Sequence, residues 1–213
     1  MVRRRWSVVL ERTVRELQGM PCIELELAPA RKQEIACTRS FGHPVLHLAD
    51  LSEAVTEFAS RAAYKLRGQS SLAGQVLVFI RTSPFRPEAQ FSRSISLPLR
   101  RPSADTGVIV SAALRGLRAI YRPGYQLAKA GVMLLELQPC TVLQGELDLQ
   151  ADDSPDRRRL MTAMDNLNQR FGRGTVFVAS AGLAGDRRPW TMKQERRTPG
   201  YTTCWADLPV ARA

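Results

Sequence analysis

Between Lys32 and Gln138 the spacing of apolar residues changes period from one segment to the next, and this succession leaves few folds open. Ile35 and Cys37 alternate with Ala36 and Thr38, as on a strand with two unlike faces. Leu51, Val55, Phe58 or Ala59, Ala62 and Leu66 then recur at helical spacing. Val76 to Ile80 is a continuous apolar run, as in a strand buried on both sides at its middle, and Pro84 and Pro87 forbid its continuation. Phe91, Ile95, Leu97 and Leu99 alternate with Ser92, Ser94, Ser96 and Pro98. Helical spacing returns with Val108, Ile109, Ala112, Leu117 and Ile120, and a last apolar strand follows. Strand, helix, strand, strand, helix, strand is the order of a ferredoxin-like split β-α-β domain (βαββαβ), an α+β fold.

The expected strands are Lys32–Phe41, Gly74–Ser83, Phe91–Arg100 and Ala130–Leu137. Gly42 and Pro44 should end the first, and Pro98 keeps the end of the third away from the sheet centre. The helices are expected over Leu48–Arg67, with Asp50 or Ser52 as cap and Gly68 beyond the end, and over residues 104–121. Ahead of this domain, residues 5–18 have one apolar side (Trp6, Val9 or Leu10, Thr13 or Val14, Leu17) and Gly19 as a C-cap. Behind it, an acidic loop gives way to a helix over 157–170, a turn at Phe171–Gly174 and a short strand at Thr175–Ala179. The chain thus divides into 1–31 (helix and linker), 32–138 (the split β-α-β domain), 139–156 (linker) and 157–213 (a small C-terminal extension).

The formal net charge is +11, with a sequence pI near 10.4, so the surface attracts phosphate backbones. Charge alone also fits an arginine-rich protein with no nucleic-acid role. Cys22, Cys37, Cys140 and Cys204 are far apart and form no CxxC pair, which leaves a zinc site unsupported and reduced thiols expected. Pro44 separates His43 from His47, and Asp152, Asp153 and Asp156 lie in a linker with no strand to hold them, so no metal site is expected. No apolar run approaches the ~20 residues of a membrane span, nor is there a secretory pattern at the start, and the cytoplasm is the expected compartment.

Nine passages in series carry a resemblance. Val9–Leu17, Lys32–Ile35, Thr38–Gly42, Arg81–Phe85, Lys129–Met133, Leu160–Asn168, Gly172–Thr175, Trp190–Lys193 and Tyr201–Thr203 resemble, in the same order, a Y-family translesion DNA polymerase of the UmuC type. The resemblance implies the end of the thumb up to about residue 19, the DNA-gripping little finger over 32–138 and the family's C-terminal extension over 157–213. It also implies that the catalytic palm and fingers lie outside this segment, so that the chain is no enzyme on its own, and that Mg2+ belongs only with that palm. The error-prone DNA repair of the SOS response is the setting it implies.

In that family the little finger touches mainly backbone phosphates, which positions protein on DNA without reading sequence. Carried onto this chain, the DNA-binding candidates are Arg39, Ser40, Arg81, Thr82, Ser83, Arg93 and Ser94. Arginines supply charge-assisted bonds, and small hydroxyls let the phosphate backbone come close. The same residues also fit a solvated sheet face. Gln144, Leu147 and Leu149 match a loose Gln-x-x-Leu-x-Leu pattern like that of a sliding-clamp-binding peptide, where an ordinary acidic linker is the plainer reading. The resemblance adds the UmuD′ dimer and RecA as partners. Competing functions are a component that completes a polymerase whose palm and fingers come from another polypeptide, and an RNA-binding ferredoxin-like domain. The latter stacks bases on aromatics of its central strands, and Phe91 at a strand end is the sole aromatic in its run of serines.

Overall fold

The computed structural model describes residues 7–23, 30–142, 157–182, 188, 190–193, 195 and 198–210. The chain forms two compact units, Met1–Lys32 and Gln33–Ala213.

In the first unit, α1 (Val8–Leu17) is a helix without a single buried residue. Ser7 caps it, its hydroxyl accepting the Leu10 N–H at 3.2 Å. Glu11 and Arg15 pair one turn apart at 2.7 Å. Gly19 ends it as expected: its φ of 79° lets its own N–H reach the Glu16 carbonyl and the Met20 N–H reach that of Arg15.

The second unit runs β1 (Ile35–Val45), α2 (Leu48–Gly68), β2 (Ser71–Thr82), β3 (Ser92–Ser103), α3 (Thr106–Ile120), β4 (Leu127–Pro139) and α4 (Arg158–Phe171). Short 3-10 turns follow at Ala179–Ala181 and Trp205–Asp207. The four strands form one antiparallel sheet in the order β1-β4-β2-β3. Both β-α-β units are therefore split: β4 lies between β1 and β2, and β2 lies between β3 and β4. The expected α+β architecture is the one observed, with β3 and its Pro98 at an edge.

The core lies between the sheet and the two long helices. Leu51, Val55, Phe58, Ala62 and Leu66 of α2 are fully buried, as are Val76, Val78 and Ile80 of β2 and Val132 and Leu134 of β4. From α3 come Ile109, Ala113 and Leu117. Gly116 brings α3 close to β3, since a Cβ there would sit 3.0 Å from Leu97 Cδ1 and 3.2 Å from Ile95 Cγ2.

Several sequence expectations change. β1 does not stop at Gly42 and Pro44 but continues to Val45 through a register shift after Ser40. β1 is an edge strand, where a proline removes no ladder bond. The Gly42 N–H also finds the Thr191 carbonyl at 2.9 Å, outside the sheet. Neither Asp50 nor Ser52 caps α2: His47 holds the cap position, and Ser52 bonds the Leu48 carbonyl. Asp105 is the effective cap of α3, its Oδ1 accepting from Gly107 and Val108. Val108, expected inside, is 45% exposed, because the buried stripe of α3 runs through Ile109, Ala112 and Gly116 instead. No strand forms at Thr175–Ala179. The Asn168 side chain there bonds both the N–H and the carbonyl of Val176, supplying what a neighbouring strand would.

Asp165 of α4, the turn Ala179–Ala181, Arg188 and Trp190 pack against α2. Arg67 makes a two-pronged bond to Asp165 (2.6 and 2.7 Å) and also donates to the Ala104 carbonyl and the Thr106 hydroxyl. Trp190, 2% exposed, sets its ring edge-on to Phe58 at 5.9 Å and so joins the core. Trp190→Ala should cost about 3–5 kcal/mol of folding stability, the range for losing a large buried aromatic. Urea denaturation of the full chain measures it, and an unchanged midpoint would mean that the extension does not share the core.

Candidate nucleic-acid interface

A strand's side chains alternate between faces, so the register of the four strands sorts them into rows. On the helix side the rows read Cys37, Val132, Val78, Ile95 and Ile35, Leu134, Val76, Leu97. On the opposite side they read Ser40, Lys129, Arg81, Ser92, then Thr38, Gly131, Phe79, Ser94, then Ala36, Met133, Leu77, Ser96. Ser40, Ser92, Ser94 and Ser96 are exposed, and α2 and α3 bury their apolar sides against the other face.

One end of this open face is cationic. Arg81 and Lys129 are direct cross-strand partners, and among the described residues neither forms an ion pair. Like charges placed directly opposite repel, a cost that a bound anion relieves. Serines flank the pair, Ser40 beside Lys129 and Ser92 beside Arg81. Near the far end, Glu136 accepts a bond from Gln75 Nε2, and Gln75 Oε1 accepts one from the Ser96 hydroxyl at 2.7 Å. The middle row is aromatic: Phe79 is half-buried and leans over Gly131, where an added Cβ would come within 2.5 Å of Phe79 Cε1 and of Thr38 Cγ2.

The seven DNA-binding candidates do not share one face. Ser40, Arg81 and Ser94 lie on the open face. Arg39 and Arg93 fall in the helix-side row with Ala130 and Ile80, on the two edge strands. Arg39 stands near Cys37, whose thiol burial pushes up even though Arg61, Lys65 and Arg39 pull it down. Thr82 is buried, with its hydroxyl donating to Gln90 Oε1 at 2.8 Å and accepting the Phe91 N–H at 3.0 Å. It pins the connection between β2 and β3, in which Ser83 lies. Gln144, Leu147 and Leu149 are outside the described residues.

Three residues of the open face escaped the sequence reading: Lys129, Phe79 and Gly131. The alternation Lys129, Gly131, Met133 was visible on β4, but Val76–Ile80 read as apolar on both sides and hid the orientation of Phe79. Among the described residues no group of three or more His, Cys, Asp or Glu side chains is placed to hold a metal. No helix among them is long and apolar enough to cross a membrane.

The model of the impB/mucB/samB family C-terminal domain matches residues 32–147, and a domain of unknown function, DUF4113, matches residues 158–211. Protein ImpB of Salmonella typhimurium is 42% identical over 99% of this chain and 49% of its own length. Protein UmuC of the same species is 41% identical over 98% of this chain and 49% of its own. Protein MucB of Escherichia coli is 38% identical over 99% and 49%. The chain spans about half the length of the curated relatives it matches.

The cradle at Gly131 yields a direct test of the open face. Gly131→Ala should cost about 1–3 kcal/mol through overpacking against Phe79 and Thr38. Most of that cost should vanish in a Phe79→Ala background, because the two sites are in contact. Urea melts of the single and double variants read the coupling, and purely additive costs would place the Phe79 ring elsewhere.

Proposed function

Because the chain belongs to the impB/mucB/samB family through the C-terminal domain matched at residues 32–147, we propose that it is the DNA-gripping portion of a UmuC-like, error-prone translesion polymerase. The row Ser40, Lys129, Arg81, Ser92 carries this reading. It sets two cations, neither in an ion pair among the described residues, between two exposed hydroxyls, which suits the phosphates of a nucleic-acid backbone. Phosphate contacts carry no base information, and a surface of that kind holds DNA whose bases are damaged. Arg39 and Arg93, on the helix side of the two edge strands, contribute to the field more than to contact.

Nucleotide transfer itself is assigned to palm and finger domains outside this segment, where the Mg2+ ions belong. In a variant of the same reading, those domains come from another polypeptide and this chain completes them. The peptide bearing Gln144, Leu147 and Leu149 is proposed as a tether to the sliding clamp, and the UmuD′ dimer and RecA as partners, in DNA repair in the cytoplasm. A second reading, binding of single-stranded RNA, is favoured by one observation: Phe79 stands on the open face of a central strand, where base-stacking aromatics of RNA-binding sheets stand.

Fluorescence anisotropy on duplex DNA across a salt series tests the first reading. Affinity should fall steeply with salt. Arg81→Ala/Lys129→Ala should lower the slope of log affinity against log salt by about 1.8, at roughly 0.9 for each phosphate no longer neutralised. An unchanged slope removes the proposed row, and tighter binding of single-stranded RNA than of DNA, lost in Phe79→Ala, would favour the second reading. Gln144→Ala/Leu147→Ala should abolish capture by the clamp at unchanged DNA affinity. If both properties were lost together, the tether assignment would be withdrawn.

A further inference from the structure

The side of α2 that faces away from the sheet forms a second surface, independent of the open face. Glu57, Ser60, Arg61 and Tyr64 follow one another along it, and α4 and the segment after it stand over them. Between the two walls is a cleft of about 550 Å³, the size of a small-ligand or side-chain pocket. Met164, Val176, Val178 and Ala181 line it with apolar surface, and the rings of Tyr64 and Phe177 stand half in solvent, 42% and 38% exposed.

This cleft is preformed. The two bonds between Asn168 and the Val176 backbone fix one wall, and the Arg67–Asp165 pair ties α4 to α2. The charges lining it are used unequally. Arg67 is committed to Asp165, and Arg188 and Arg61 to Glu57. Lys65 and Arg173 also line the cleft, are exposed, and among the described residues pair with no carboxylate. Ser60 Oγ, in the lining too, is buried with no hydrogen-bond partner.

We propose that this cleft docks an acidic peptide segment of a partner protein. An apolar side chain of the peptide enters between Met164, Val176 and Phe177, and its carboxylates meet Lys65 and Arg173. Charge complementarity selects an anionic occupant, and the apolar lining selects one with an aliphatic or aromatic anchor. The apolar lining of Met164, Val176, Val178 and Ala181 argues against a nucleic-acid strand, whose phosphate at every nucleotide gains nothing from it. A peptide can place its few charges at Lys65 and Arg173, which among the described residues pair with no carboxylate. The cleft and the open sheet face lie on opposite sides of the α2 layer, so docking here leaves the proposed DNA surface clear, and each reading can fail without the other.

The test is fluorescence anisotropy of the full chain with a fluorescein-labelled peptide of Glu and Asp residues flanking a central Leu-Phe pair. Saturable binding is expected, weakened about tenfold or more by Lys65→Glu/Arg173→Glu, whose two positions are exposed. The same peptide with Ser-Ser in place of Leu-Phe should not bind. Phe177→Ser provides a second variant, expected to weaken binding with an unchanged urea midpoint. Absence of peptide binding would overturn the proposal. So would binding that ignores the charge reversal and Phe177→Ser alike, or displacement of the peptide by a single-stranded oligonucleotide whose own affinity falls in the charge-reversed chain.

Discussion

The unit Gln33–Ala213 depends on one constraint: a single face of the four-stranded sheet is buried under α2 and α3. Because the side-chain period of a strand is two, that burial decides the orientation of every residue on all four strands at once. Val76, Val78 and Ile80 are buried, so Leu77, Phe79 and Arg81 must face the other way. Val132 and Leu134 are buried, so Gly131 and Lys129 must join them. A slip of one residue in β2 or β4 would bury Arg81 or Lys129 against α2 and α3, an unpaired charge in an apolar core. The open face is thus a consequence of the core as much as an independent feature.

α2 serves two layers. Its inner stripe of Leu51, Val55, Phe58, Ala62 and Leu66 closes the core over the sheet. Its outer residues, Glu57 and Arg67, hold the C-terminal extension by charged hydrogen bonds to Arg188 and Asp165. Trp190 joins the two layers by reaching Phe58. Among the described residues of the extension only Met161, Ala181 and Trp190 are buried apolar side chains, and Trp190 is buried against Phe58 of α2. The boundary between the two matched family segments therefore falls in a linker by sequence, while in packing the segments share one helix.

This arrangement sets the two proposed binding surfaces on opposite sides of one helix layer. The open sheet offers hydroxyls and two adjacent cations, Arg81 and Lys129, as the proposed hold on a uniform backbone requires. The cleft behind α2 offers the opposite: apolar walls, few free charges and a fixed shape, as suits a particular partner. Non-specific grip and specific docking make conflicting demands on a surface, and the two proposals place them on separate surfaces.

The succession of strands and helices, the α+β class and the buried stripe of α2 were legible in the chain, because apolar period reports which side of an element meets the core. The cap at Gly19 was legible for a related reason, since only local backbone geometry is involved. Other features were decided by tertiary contacts between residues far apart in sequence. The passage of β1 through Gly42 and Pro44 rests on the distant Thr191 carbonyl. Arg39 and Arg93 were separated from Arg81 by strand register, which no single segment states, and Thr82 was drawn inward by Gln90 and Phe91. The row of Lys129 beside Arg81, like the cleft behind α2, exists only once strands and helices have found their neighbours. Sequence determined which elements form and which of their sides are apolar. Pairing and packing determined which polar residues meet, because that is set by neighbours in space rather than by spacing along the chain.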